Sequence, residues 1–340
     1  MSWYVRPARP SDLDGFYALA MQTGGGFTNL PQDSDALADR LAWSDASFAR
    51  VGDYPAHDLY LLFLVEAETG RLGGSALLYG MVGGRCPFYS YKIATIRQDC
   101  AALGRSFINR TLNLVNDFEG ESEVGGLFLI PELRKGGWGR MLARARYMFI
   151  AQHRARFTDR VIAELRGYLR EDGSSPFWDG LARMFFGMEF QEADRFNAIY
   201  GTQFIADLMP RHPIYLSMLS EDARAAIGRV HPTGEPALAM LRAEGFYYDN
   251  YIDIFDGGPT VSSATHQIRT IAQSQIAEAT VGGAPESAQN YLLAEGKLQH
   301  FRCWSGGAVV DTSAQKICLT QAPPHDVALH ASSQVRYVPL

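Results

Sequence analysis

The sequence predicts an α/β (α+β) fold: a mixed sheet flanked by helices, with a helical insertion and a small β-rich subdomain at the C-terminal end. Three features carry this. The chain opens as a strand followed by a helix; a strand, a glycine turn, a helix and a strand succeed one another over residues 122–167; and beyond about residue 261 short apolar segments alternate with Ser, Thr, Gly and Pro turns. With 340 residues, 47% of them hydrophobic and 20% charged, the chain has the balance of a folded protein of about two domains. The expected division places a main domain at 1–260, with the helical insertion at about 168–230, and the β-rich subdomain at 261–340.

Taken in order, WYVRP at 3–7 reads as a strand, and Ser11 then caps the helix SDLDGFYALAMQT, whose first turn is acidic. TGGGFTNLPQD, residues 23–33, is too rich in Gly and Pro for either element, and an amphipathic helix resumes at Ser34. The apolar runs from Leu59 and Leu72, separated by TGR, form an antiparallel hairpin, and FYSYKIAT from Phe88 adds a strand. SEVGGLFLIP, residues 122–131, is a strand whose two glycines mark a bulge or a close backbone approach. The glycine-rich turn after it opens a long helix with Leu142, Ala145, Tyr147, Met148 and Ile150 on one face, and RVIAELRG from Arg160 is a buried strand. Helices fill most of 176–228, where Met and Phe of MFFGMEF are expected in the core. The helix from Pro236 stops at Gly245 and is followed by the strand YYDNYIDIFDGGP.

Charge and cysteine usage exclude several classes of function. The 31 Lys and Arg against 37 Asp and Glu give a net charge of −6, which disfavours bulk attraction to nucleic acid or anionic lipid. No apolar run reaches the roughly 18 residues of a membrane span, and the first residues lack a basic segment followed by an apolar one, so a cytoplasmic protein is expected. Cys86, Cys100, Cys303 and Cys318 are scattered as in a set of buried thiols, and the eight His show no metal-ligand spacing; no metal or prosthetic group is expected.

The strongest local motif is Arg134-Lys135-Gly136-Gly137-Trp138-Gly139-Arg140, between a strand and a helix. Glycines let a backbone approach a pyrophosphate, a helix start adds partial positive charge, and Arg or Lys adds a full one. The turn fits the R-x-x-G-x-G/A pattern of the N-acyltransferase superfamily abbreviated GNAT. VRPARPSDLDGF and the segment from Ala237 to Phe246 resemble that superfamily's opening and closing elements. Where many members carry a Tyr proton donor, this chain has Leu241; His231, just before the closing helix, has a suitable pKa range for the same task.

A narrower resemblance follows from TGGGFTNLP, FYSYKIAT, LFLIPELRKGGWGRML, VIAELRG, SPFWDGLARMFFGMEFQEAD, FIADLMPRHPIY, IGRVHP and EGFYYDNYIDIFDGGPT, in order over residues 4–270. Together they resemble the arginine N-succinyltransferase family. The resemblance implies succinyl-CoA as acyl donor, L-arginine as acceptor, and direct attack of the α-amine on the thioester. It places the proton donor at His231 and an acyl-CoA contact at Leu127, with backbone N–H groups near Leu127 to Leu129 polarising the carbonyl. Thr28 and Asn29 are expected to border the acceptor, and Glu123 and Glu164 are candidate bases on the two strands flanking the turn. Arg85, Lys92, Arg110, Asp117 and Arg166 are available for the substrates' charges without a choice among them, and His212 reads as a turn residue. Gly125-Gly126 and Thr233-Gly234 depart from the family's pattern, so ornithine, another amine or another acyl-CoA stays open, as does a non-catalytic partner role. The family's habit implies a homo- or hetero-oligomer with a similar subunit.

Overall fold

In chain order, the computed structural model has β1 (Trp3–Pro7), α1 (Leu13–Ala20), α2 (Ser34–Ala49), β2 (Leu59–Glu66), β3 (Leu72–Tyr79), β4 (Ser90–Cys100), β5 (Arg105–Val115), β6 (Ser122–Leu129), α3 (Trp138–Gln152) and β7 (Arg160–Glu164). There follow α4 (Pro176–Gly180), α5 (Arg183–Phe186), α6 (Phe190–Tyr200), α7 (Gln203–Leu208), β8 (Ile214–Tyr215), α8 (Glu221–Ala226), α9 (Glu235–Ala243), β9 (Tyr247–Asp253) and β10 (Pro259–Ala264). The chain ends with α10 (Arg269–Gln273), β11 (Gln275–Val281), β12 (Gln289–Glu295), β13 (Arg302–Asp311), β14 (Lys316–Leu319) and β15 (Gln334–Pro339). The structure describes all residues except 1, 24–28, 85–86, 201–202, 283–286, 325, 328 and 330–332, with the backbone alone at 197–200 and 206.

These elements sort into two compact units. The first comprises Met1–Met81, Ser122–Asp159 and Ala264–Leu340. Its strands run in the order β12-β15-β11-β14-β13-β1-β2-β3-β6, and an additional β12–β13 pairing closes β11 to β15 into a five-stranded ring. β13 is long enough to serve both neighbours on one side: Cys303 and Trp304 pair with β1, Ala308 to Asp311 with β14. Closure of this kind leaves those strands without a free edge.

β2 shows why its sequence is apolar throughout. All eight residues are buried, and they alternate between two covered faces. Leu59, Leu61, Phe63 and Val65 pack with Phe16, Leu19, Leu37 and Leu41 of α1 and α2. On the other face Tyr60 meets Phe149 of α3, ring centroids 5.0 Å apart. The expected one-faced α3 is instead buried on all sides from Met141 to Ile150, because the C-terminal residues cover its outer face. There Arg144 donates to Thr270 Oγ1 at 2.8 Å and to the Pro339 carbonyl at 2.9 Å.

The second unit comprises Val82–Glu121 and Arg160–Ser263, with strand order β7-β10-β9-β4-β5-β8. Its core joins Tyr91, Ile93 and Leu112 of the sheet to Phe177, Trp178, Phe190 and Ile205 of the helices. The expected burial of MFFGMEF holds for Phe190 and, against Trp178, for Phe186, but Met184 and Phe185 of the short α5 point outward. Of the described cysteines only Cys303 is buried; Cys100 and Cys318 are partly exposed. Among the described residues no helix is long and apolar enough to cross a membrane, and no three His, Cys, Asp or Glu gather as a metal site requires.

Candidate active site

In the first unit the candidate site is made mostly of backbone. β6 pairs antiparallel with β3, and the register shifts where Ser75 faces Phe128 but Leu77 faces Gly125, so Gly126 and Leu127 together oppose Ala76. That is a bulge, and it lifts a residue of β6 out of the ladder. Gly126 supplies it with φ of 54°, in the left-handed region, and a Cβ there would lie 2.6 Å from Leu77 Cδ2. The Ser75 hydroxyl donates to the Gly126 carbonyl at 3.2 Å and fixes the distortion. Leu127, expected to act through its backbone, therefore sits in the bulge; Leu129 ends the strand.

The chain then turns through Pro131–Leu133 into the glycine motif. Gly136 and Gly137 adopt φ of 93° and 87°, values that side chains disfavour, and Gly137 is the N-cap of α3. No side chain caps this helix, so its first N–H groups and dipole are presented bare. Arg134, Lys135 and Arg140 are exposed around the turn, and Gly139 is half-buried. Arg134 folds back to donate to the Leu129 carbonyl at 3.3 Å, tying the turn to the end of β6. An uncapped N-terminus with three cations and two left-handed glycines is a fit for the diphosphate of a CoA thioester.

A polar cluster lies beside Gly125. Asn29 accepts from the Tyr79 hydroxyl at 3.3 Å, and Arg40 donates to the same hydroxyl at 3.4 Å. Glu123 is buried and faces Tyr79 across the β3–β6 ladder; burial raises the Tyr79 pKa, and the Glu123 charge adds to the rise. Tyr79 and Arg40 carry no motif of their own, and only the pairing of β3 with β6 brings them to Gly125. Thr28 lies outside the described residues.

The second unit has a candidate site of its own, made of side chains. The backbone N–H of His231 donates to the Arg166 carbonyl at 2.8 Å, and Gly167 bridges Val230 in antiparallel fashion. Both donors of Thr233 are turned on the ring: the Thr233 hydroxyl lies 2.8 Å from His231 Nδ1, and its N–H donates there at 3.3 Å. Nδ1 is thereby the acceptor, and the ring proton belongs on Nε2. Burial and then the Arg166 charge hold His231 below its usual 6.5. Leu241 is buried within α9, where it offers packing rather than a proton.

Other expected residues divide clearly. Glu164, at the end of β7, accepts from Thr260 at 3.4 Å. Lys92 is engaged by the Asp249 carboxylate at 3.0 Å and the Tyr251 ring at 3.8 Å, and Asp117 accepts from the Tyr251 hydroxyl at 2.7 Å. Arg110 and His212 are exposed, the latter in a bend before β8, and Arg85 lies outside the described residues.

The segments holding His231 are stitched together. The Asp256 carboxylate accepts from Gly167 N–H at 2.6 Å and Gly258 N–H at 2.8 Å, and Tyr168 N–H donates to the Arg229 carbonyl at 3.0 Å. A Cβ on Gly258 would come within 2.0 Å of the Leu165 carbonyl, so only glycine fits there. Thus VIAELRG, IGRVHP and the FDGGP end of the last motif form one assembly. The family model for the arginine N-succinyltransferase beta subunit matches residues 3–270.

The chain belongs to the arginine N-succinyltransferase family.

Within that family, arginine N-succinyltransferase subunit beta of Pseudomonas aeruginosa is 41% identical over 336 residues, covering 99% of this chain and 98% of that protein. Arginine N-succinyltransferase of Citrobacter koseri is 39% identical over 338 residues, 99% of this chain and 97% of that one. Among solved structures, arginine/ornithine succinyltransferase subunit AI from Pseudomonas aeruginosa superposes with a TM-score of 0.90 at 31% identity, covering 99% of this chain and 98% of that chain.

Proposed function

We propose that this chain is an acyltransferase that moves the succinyl group of succinyl-CoA to the α-amine of L-arginine, releasing N2-succinylarginine and CoA. Family membership over nearly the whole chain supports the chemistry, and the names of the relatives, arginine N-succinyltransferases, support the substrate pair. The observation that carries the mechanism is the arrangement of His231, whose Nδ1 is held by Thr233 so that Nε2 bears the proton.

The diphosphate of the donor rests on the bare start of α3 with Arg134, Lys135 and Arg140 around it, and glycines at 136, 137 and 139 let it approach. The bulge at Gly126-Leu127 supplies an N–H to the thioester carbonyl, which becomes more negative as the amine attacks. The α-amine reacts as the free base: its nitrogen forms the new amide bond as the carbon–sulfur bond breaks, the proton it sheds passes to a carboxylate, Glu123 or Glu164, and no acyl-enzyme intervenes. His231 gives its Nε2 proton to the departing thiolate as Nδ1 takes one from the Thr233 hydroxyl, so that the ring stays neutral. Thr233 is exposed and bonded to the opposite ring nitrogen, and it connects the ring to solvent for resupply. Asn29 with Tyr79, and Glu123 and Glu164, are assigned to the acceptor side.

Assembly with a second copy or a similar chain is part of this reading, since the Pseudomonas relatives are named as subunits; light scattering reads it directly. A cytoplasmic location, whose reducing conditions suit Cys100, Cys303 and Cys318 as thiols, completes it. The test of function is thiol release from succinyl-CoA and acetyl-CoA with arginine, ornithine and lysine as acceptors. Release confined to succinyl-CoA with arginine is expected. Preference for ornithine or acetyl-CoA moves the substrate assignment within the family, and no release without a partner chain favours a supporting subunit.

A further inference from the structure

Resting on that function, we propose that Arg166 is a substrate-carboxylate subsite, set beside His231 to pair with an anionic end of one of the two substrates. The antiparallel bridge between Gly167 and Val230, with the His231 N–H donating to the Arg166 carbonyl at 2.8 Å, makes Arg166 and His231 the next facing pair. Facing residues of an antiparallel pair project to one side with Cβ atoms about 5 Å apart. The guanidinium and the imidazole therefore leave the backbone together.

What marks Arg166 is that, among the described residues, no side chain pairs with it. It is half-buried, yet among the described residues its side chain forms no ion pair and no hydrogen bond. Three titratable groups face it. His231 is spent on Thr233, and Asp256 is spent on two backbone N–H groups. Asp194 of α6, a half-buried carboxylate, feels the Arg166 charge without making an ion pair to it. A partly desolvated guanidinium is stabilised by a planar bidentate acceptor, and a carboxylate is the best match. Of the other cations considered in this unit, Lys92 is already paired and Arg110 is exposed.

Either substrate brings such a group. The α-carboxylate of arginine is attached to the carbon that bears the attacking amine, and the terminal carboxylate of the succinyl group is two methylenes from the thioester carbonyl. Both lie within one short side-chain length of the sulfur that His231 must reach. Pairing at Arg166 thus fixes the reacting atoms relative to the proton donor.

Two matched comparisons separate the sources. Butyryl-CoA lacks the donor's carboxylate, and agmatine lacks the acceptor's. Calorimetric binding and kcat/KM are measured for all four compounds on the wild type, Arg166→Gln and Arg166→Lys. In the wild type one carboxylate-bearing compound is preferred over its truncated analogue, and Arg166→Gln reduces that ratio about ten- to a hundredfold, with partial recovery in Arg166→Lys. Loss of the succinyl/butyryl ratio assigns the donor, and loss of the arginine/agmatine ratio assigns the acceptor. Both ratios unchanged, with all four compounds weakened alike, overturns the subsite and leaves Arg166 a packing residue. If Arg166→Gln does not fold, Arg166→Lys alone decides through the same ratios. Binding reads the ratio without turnover, so absence of wild-type succinyl transfer contradicts the function above and not the subsite.

Discussion

The two candidate sites, one in each unit, are built on opposite principles. In the first unit the proposed acyl-CoA turn and the β6 bulge are shaped by backbone: glycines at φ of 93°, 87° and 54°, a helix start without a cap, and a strand register that slips by one residue. Around His231 in the second unit, the proposed chemistry rests on side chains held by backbone hydrogen bonds from distant segments. The contrast teaches where each half is vulnerable. A backbone site tolerates loss of an exposed side chain and fails when a Cβ is forced on a left-handed glycine. A side-chain site loses its chemistry with one substitution while the fold stays intact.

The largest effect that sharpens this comparison is expected at His231. His231→Ala lowers kcat by roughly 10²–10⁴, the span of a lost general acid, with KM for succinyl-CoA nearly unchanged and the melting temperature preserved. A parallel rise in KM and fall in thermal stability would show instead that the residue holds the fold. Next comes the turn. Nothing lies within 4 Å of a Cβ built at Gly137, so Gly137→Ala reports on the φ of 87° alone. Forcing a side chain there costs about 1–2 kcal/mol, and KM for the CoA thioester should rise roughly tenfold with kcat little altered. An unchanged KM would break the idea of a backbone-built turn.

Removing the exposed cations is milder. Lys135→Ala or Arg140→Ala should raise KM for succinyl-CoA by a few-fold at low salt and less at high salt, as expected for solvent-screened charges at a helix start. A salt-independent effect of more than tenfold would mean that one of them makes a desolvated contact.

The smallest expected change is a displacement on the pH axis. His231 sits below 6.5 through burial and then through Arg166, and its neutral form accepts from Thr233. Protonating Nδ1 removes the acceptor that faces Thr233 and interrupts the proton relay through it, so kcat at saturating arginine falls as pH drops through that lowered pKa. Arg166→Gln removes the neighbouring charge, which eases protonation and moves the acid limb upward toward 6.5. A limb that stays in place, or moves down, contradicts the proximity of the two groups.

Most of the elements near the turn were legible in the sequence because the signals are local. Strand-length apolar runs, a helix start at Ser34 and a helix stop at Gly245 each depend on a few adjacent residues, whereas the cap expected at Ser11 is not made, since Ser11 lies in a tight turn at Pro10–Asp12 and α1 begins after Asp12. The two glycines of SEVGGLFLIP announced a bulge, and the bulge is there. β5 is hard to read from the sequence because RSFINR, its first half, carries polar and apolar residues without alternation and is mostly exposed, with Ile108 69% accessible. The ring closed by β12 and β13 was also invisible, since closure depends on which strands pair and not on any one strand's composition. For the same reason the sequence offered Arg166 as one cation among several. Its place opposite His231 arises from pairing between residues far apart in the chain, as does the meeting of Tyr79 with Asn29.

The most direct test of the central claim is the product itself. Wild-type protein incubated with succinyl-CoA and L-arginine is predicted to yield a compound with the mass of succinylarginine, acylated on the α-nitrogen by NMR. Intact-mass spectra of the enzyme during turnover should show no succinyl adduct. A succinylated enzyme, an acyl group on the guanidinium, or CoA release without any arginine product would contradict direct transfer to the α-amine.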